Sequence, residues 1–123
     1  QLKENISSVD LLSEQYLTNE ELEIIETARK FFKERIKIEC TKCNYCLPCP
    51  NGVNIPRNFE LYNDAFMFGN PIPPRITYQR FLPEIEKASN CIECGECEGS
   101  CPQKLKITKL LEEVDNELTK SIF

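Results

Sequence analysis

All eight cysteines of the chain fall in two short runs, and that clustering limits the possible folds more than any other feature. The first run reads CTKCNYCLPCP, Cys40 to Pro50, and the second reads CIECGECEGSCP, Cys91 to Pro102. Cysteines spread along a secreted chain would suggest a disulfide framework. Dense Cys-x-x-Cys spacing without a secretory signal reads instead as metal or redox chemistry in a reducing compartment, so the expected location is cytoplasmic. The opening QLKENISSVD has no basic stretch followed by an apolar one. It also lacks a starting Met, so the chain is expected to be processed or excised from something longer.

The composition removes several classes of chemistry. Histidine is absent, which excludes Rieske clusters, haem on histidine, Cys/His zinc fingers and a Ser-His-Asp triad. The glycines at 52, 69, 95 and 99 are too scattered for a phosphate-cradling loop. No apolar run approaches the roughly 20 residues that a bilayer crossing needs. A net charge of −5 argues against nucleic acid and anionic membrane as partners. With 123 residues, 41% of them apolar, the core must be modest, and domains of that kind often rely on metals or disulfides as staples.

The periodicity is helical throughout, with no convincing alternation of period two, so the expected fold class is all-α. LKENI closes a helix. Thr18 and Glu21 form a capping box that opens a helix from about 19 to 37. Its stripe of Leu22, Ile25, Ala28, Phe32 and Ile36, widened by Ile24 and Phe31, is expected to pack into a core. Pro56 suits the first turn of a second helix, with Phe59, Tyr62, Asn63, Phe66 and Met67 along one side, ended by Gly69 and Pro71. NPIPPRITY reads as an extended surface connector, and YQRFLPEIEKASN as partly helical with a break at Pro83. A last amphipathic helix carries Ile107, Leu110, Leu111, Val114 and Leu118. The two cysteine runs also begin a repeat. After each Cys-Pro, Val53 matches Leu105, Ile55 matches Ile107, and a helix follows, which implies pseudo-two-fold symmetry.

Three cysteines spaced Cys-x-x-Cys-x-x-Cys turn their sulfurs around one centre, and a cubane iron–sulfur cluster needs four thiolates. A fourth cysteine soon after the third is badly placed to close its own cubane. The bacterial run Cys-x2-Cys-x2-Cys-x3-Cys-Pro gives it to the other cluster. Cys91, Cys94, Cys97 and Cys101, followed by Pro102, match that run without deviation. The first run has one residue fewer before Cys49, which tightens the loop and favours the same crossing. The expected ligands are therefore Cys40, Cys43, Cys46 and Cys101 for one [4Fe-4S] cluster, and Cys91, Cys94, Cys97 and Cys49 for the other. Pro50 and Pro102 stiffen the backbone after each fourth ligand, and Gly95 allows a close turn. The competing reading is two four-thiolate zinc sites, though runs of three evenly spaced cysteines suit paired zinc knuckles poorly.

These residues resemble the helical two-cluster ferredoxin modules of larger oxidoreductases. More closely, CTKCNYCLPCPNGVNIPRNFELYNDA with ASNCIECGECEGSCPQKLKI resembles the C-terminal extension of iron–sulfur-containing aldo/keto reductases. The resemblance implies that residues 1–17 are the tail of an upstream barrel module, 18–39 a linking helix, 40–118 the two-cluster domain and 119–123 a terminal tail. It implies an NAD(P)-linked parent enzyme, whose catalytic Asp, Tyr, Lys and His lie on a barrel. No catalytic residue is carried over, because histidine is absent and a barrel of about 250 residues does not fit in this chain.

The leading expectation is an electron-transfer module that works with an upstream or separate reductase module and an electron donor or acceptor protein. Two other readings stand beside it: clusters that only staple a small helical domain, and a zinc-stapled interaction domain.

Overall fold

In the computed structural model, which describes residues 1–10 and 17–122, all regular secondary structure among the described residues is helical. Residues 11–16, and Phe123 of the terminal tail, lie outside the described residues. The chain divides into two units, Gln1–Lys33 and Glu34–Phe123.

In the first unit α1 spans Leu2–Asp10, so LKENI opens a helix and does not close one, and α2 begins at Asn19, running to Arg35. The capping box forms as its spelling requires. The Thr18 hydroxyl accepts the Glu21 amide at 3.2 Å, and the Glu21 carboxylate accepts the Thr18 amide at 2.8 Å and its hydroxyl at 2.9 Å. Those bonds, the backbone one first, hold the Glu21 carboxyl below the usual range. The expectation that α2 packs its stripe into a core is corrected: no residue of α2 is buried, and Ile24, at 68% exposed, marks the extreme of an open apolar face. An amphipathic stripe asks for a layer to lie on. The helix is also shorter at its end than expected. The chain leaves α2 at Arg35 so that Ile38 can enter the core of the second unit, where it is 1% exposed.

The second unit is built on two helices, α3 (Ile55–Met67) and α6 (Ile107–Leu118), packed together. Asn54 caps α3 by accepting the Arg57 amide at 3.3 Å, and Pro56 sits in the first turn, where its missing N–H costs no helical bond. The buried face of α3 is rotated from the expected one. Ile55, Asn58, Phe59, Leu61 and Ala65 are buried, while Tyr62, Asn63, Phe66 and Met67 are half-exposed at the edge. The stripe of α6 is as expected, with Ile107, Leu111, Val114 and Leu118 buried and Leu110 packed against them.

The proline-rich connector is not extended. Ile72–Ile76 forms a short helix, α4, that continues into one wider turn over Thr77–Phe81, closed by the Leu82 amide donating to the Thr77 carbonyl at 2.8 Å. Pro73 and Pro74 occupy the first turn of α4, where amides have no partner within the helix, so their lack of N–H breaks nothing. This segment clamps the end of α6. Arg75 pairs with Glu117 at 2.6 Å and donates to the Ser121 carbonyl, and the Gln79 amide donates to the Leu118 carbonyl at 2.7 Å. The break at Pro83 is present, followed by two tight turns, Glu84–Glu86 and Ala88–Asn90, that lead into Cys91. A single turn, α5 (Glu96–Gly99), carries Cys97. No helix among the described residues is long and apolar enough to cross a membrane.

Candidate metal centres

The two cysteine runs follow the same backbone path. In the first run Lys42, Asn44 and Gly52 have φ of 54°, 65° and 81°; in the second Glu93, Gly95 and Lys104 have 54°, 76° and 52°. These are matching places: before the second cysteine, after it, and three residues past the last. The bonds repeat as well. The Leu47 amide donates to the Asn44 carbonyl and the Glu98 amide to the Gly95 carbonyl, both at 3.0 Å. The Gly52 amide reaches Cys49 at 3.0 Å and the Lys104 amide reaches Cys101 at 3.1 Å. Asn54 (φ −85°, ψ 76°) and Lys106 (φ −80°, ψ 73°) then turn each run into its helix. The repeat read from spelling is therefore a repeat in three dimensions. Nothing lies within 4 Å of a Cβ built on Gly95, so glycine is needed there for its left-handed backbone and not for space.

Two cavities open between these loops and the helices behind them. One, of about 240 Å³, is lined by Cys49, Cys91, Cys94 and Cys97, with Cys46 also on its wall and Ile55 and Leu111 behind. The other is narrower and is lined by Cys40, Cys43, Cys46 and Cys101, backed by Ile55, Phe59 and Ile107. Each cavity thus gathers three cysteines of one run and the last cysteine of the other. Cys46 and Ile55 form part of both walls.

All eight cysteines are free thiols; Cys43 and Cys94 are exposed and the other six are half-buried. Burial pushes the Cys46 thiol up, and thiolate charge on Cys40, Cys43 and Cys101 pushes it further. Burial also raises Cys97, with Cys91 the next cause, to about 11. Metal loading takes thiolates and so must displace these protons. The Lys42 amide donates to the Cys40 sulfur at 3.5 Å, one of the backbone contacts that stabilise charge on sulfur. Among the described residues no three Cys, Asp or Glu side chains converge closely enough to hold one ion. The donor set, thiols alone around two apolar-backed cavities, fits two [4Fe-4S] clusters.

Residues beyond the cysteines hold the runs in place. The Asn63 carbonyl oxygen accepts the amides of Lys37 at 3.0 Å and Ile38 at 2.9 Å, and its amide donates back to the Ile38 carbonyl at 2.8 Å. Asn58, wholly buried, accepts the Ala88 amide at 3.0 Å and donates to the carbonyls of Glu86 at 2.7 Å and Asn54 at 2.8 Å. Both asparagines grip the backbone leading into a cysteine run, a role that sequence reasoning missed because nothing in the local spelling names the partner. Glu98 leaves its loop to cap α6, accepting the Thr108 amide at 3.0 Å and hydroxyl at 2.9 Å. The left-handed sites at Lys42, Glu93 and Lys104 were also missed. Their signal lay in the alignment of the repeats, which sets Lys104 opposite Gly52.

No solved structure matches the chain. Over 48 residues the chain is 38% identical to acetyl-CoA decarbonylase/synthase complex subunit alpha 2 of Archaeoglobus fulgidus, a stretch that covers 39% of this chain and 6% of that protein. The chain thus spans only a small part of the length of that curated relative. The family described as the 4Fe-4S dicluster domain matches residues 39–106, more than half of the chain. All eight cysteines lie within that span, and the chain belongs to the 4Fe-4S dicluster domain family.

Proposed function

We propose that the chain is an electron-transfer module. Cys40, Cys43, Cys46 and Cys101 would hold one [4Fe-4S] cluster, and Cys91, Cys94, Cys97 and Cys49 the other. The observation that carries this reading is the composition of the two cavities, each with three cysteines of one run and the fourth of its partner. A bound [4Fe-4S] cluster supplies a one-electron store at a potential set by its surroundings. The chain's own residues supply the thiolates, the apolar wall of Ile55, Phe59, Ile107 and Leu111 that keeps water away, and the asparagine brackets that fix both loops.

In the reading from resemblance, the module serves an NAD(P)-linked, aldo/keto-reductase-like oxidoreductase in the cytoplasm. Residues 1–17 are the tail of that upstream module, 18–39 link it to the cluster domain at 40–118, and 119–123 form a short tail. The catalytic residues belong to the parent, and the partners are the reductase module and an electron donor or acceptor protein. The occurrence of a similar stretch inside a far longer subunit of an enzyme complex supports a part that works within something larger.

The test is anaerobic metal and sulfide analysis followed by potentiometric titration. The expected result is iron and sulfide for two clusters per chain and reversible one-electron steps. Clusters that resist reduction throughout the physiological range would make them staples, and zinc in place of iron after anaerobic reconstitution would make the chain a zinc module.

A further inference from the structure

The two runs share a backbone but differ in what they present to solvent. Where the first run has Thr41, the second has Ile92, 63% exposed. Tyr45 is 69% exposed and Leu47 37%. Ile92, Tyr45 and Leu47 line the same cavity, the one holding Cys49, Cys91, Cys94 and Cys97, together with Pro48. The narrower cavity has Thr41, Asn44 and Gln103 on its rim instead. The apolar group is therefore confined to one of two otherwise matching sites. An exposed apolar cluster at a cofactor cavity marks a surface that something covers.

Charge identifies what kind of partner covers it. Glu93 and Glu96 stand exposed in the loop that carries Ile92. Glu98 is engaged with Thr108, and Lys42 of the opposite loop is bonded to Glu60, so neither changes the sign of this edge. A second copy of the chain would set acidic edges against each other, and an anionic membrane would meet the same repulsion. A protein with an apolar contact centre and a basic rim meets both features.

We propose that the face of Tyr45, Leu47, Pro48 and Ile92, edged by Glu93 and Glu96, docks a redox partner protein of that chemistry. This inference rests on the electron-transfer reading. It makes the cluster on Cys91, Cys94, Cys97 and Cys49 the port through which electrons are exchanged. A cluster bound there would supply one electron to the partner's oxidised centre, leaving the cluster oxidised and the partner reduced with no bond or proton moved. The patch is small, as suits an encounter that must separate after each transfer.

The experiment uses the cluster-loaded chain reduced with dithionite, and ferricytochrome c, a basic haem protein, as the probe acceptor. A small viologen serves as a control acceptor that needs no docking face. Ile92→Thr imports the residue that the first run already carries at the same backbone position, and it is combined with Tyr45→Ser. The double variant is expected to slow cytochrome c reduction roughly three- to tenfold. It should also weaken binding to immobilised cytochrome c, with viologen kinetics changed far less than the cytochrome c rate. Glu93→Gln with Glu96→Gln should flatten the fall of the cytochrome c rate with salt. Clusters that do not cycle reversibly with viologen would fail the electron-transfer reading itself. Clusters that cycle normally, with cytochrome c rate and binding untouched by both pairs of changes, would overturn the docking face alone.

Discussion

Lys42 and Glu93 share one backbone conformation, φ 54° in each, one residue before the second cysteine of their runs, yet they carry opposite charge. The Lys42 ammonium is bonded to Glu60, which also takes Arg57 at 2.7 Å, so its charge is largely spent locally. The difference between the loops therefore rests on Glu93 and Glu96, both exposed.

Negative charge disfavours adding an electron, so the cluster on Cys91, Cys94 and Cys97 is expected to be the harder to reduce. Glu93→Gln with Glu96→Gln should raise its potential more than that of the other cluster. Because both groups face water, screening keeps the shift to tens of millivolts or less, and raising the salt should shrink it. Redox titration of the variant checks this; an unchanged gap between the two potentials counts against it.

Cys49→Ala should damage the cluster on Cys91, Cys94 and Cys97 and leave the one on Cys40, Cys43 and Cys46 with all of its ligands. Cys101→Ala should give the mirror result. The physical reason is direction: each last cysteine lines the cavity of the opposite run. Electron paramagnetic resonance of the reduced variants reads the outcome. A three-iron signal from the Cys40 loop in Cys49→Ala would mean that each run closes its own cluster.

Gly52 and Lys104 are equivalent left-handed positions with unequal freedom. A Cβ at Gly52 would stand 2.8 Å from Ile85 Cγ1, so Gly52→Ala adds a clash to backbone strain and should cost about 1 to 3 kcal/mol. Lys104→Gly removes strain at the matching site and should stabilise by up to about 1 kcal/mol. Anaerobic loss of cluster absorption in guanidinium, faster for the first and slower for the second, is the measurement.

Burial pushes the Glu117 carboxyl up, but Lys120 and Arg75 together outweigh it, so the group sits below its ordinary 4.5. A lowered folded value means the native state binds the proton less readily than the unfolded chain. The stabilisation is therefore complete above about 4.5 and disappears as pH falls through the folded value. Glu117→Gln, which breaks the pair with Arg75, is expected to cost about 1 to 2 kcal/mol at neutral pH. Its deficit against the native chain should close in acid, as followed by helical dichroism.

Sequence made α3 and α6 legible because their start signals, Pro56 and the Cys-Pro exits, precede apolar positions at helical spacing. The thiols were legible because their chemistry depends on spacing. The bend over 72–81 was not, since a proline in a first turn and a proline in an extended connector are spelled alike. Nor was the fate of the α2 stripe: periodicity states that a face wants cover, and only the three-dimensional structure says whether it has any. Asn58 and Asn63 read as ordinary polar residues of a helix until the distant backbone that each grips is known.

Because Asn63 grips the approach to Cys40 and Asn58 the approach to Cys91, both loops hang from one helix, α3. Electron tunnelling slows exponentially with the gap to be crossed, so a gap spanned by two independent loops would fluctuate with each. In the electron-transfer reading, the distance between the two clusters would then be set by α3, to which both loops are tied.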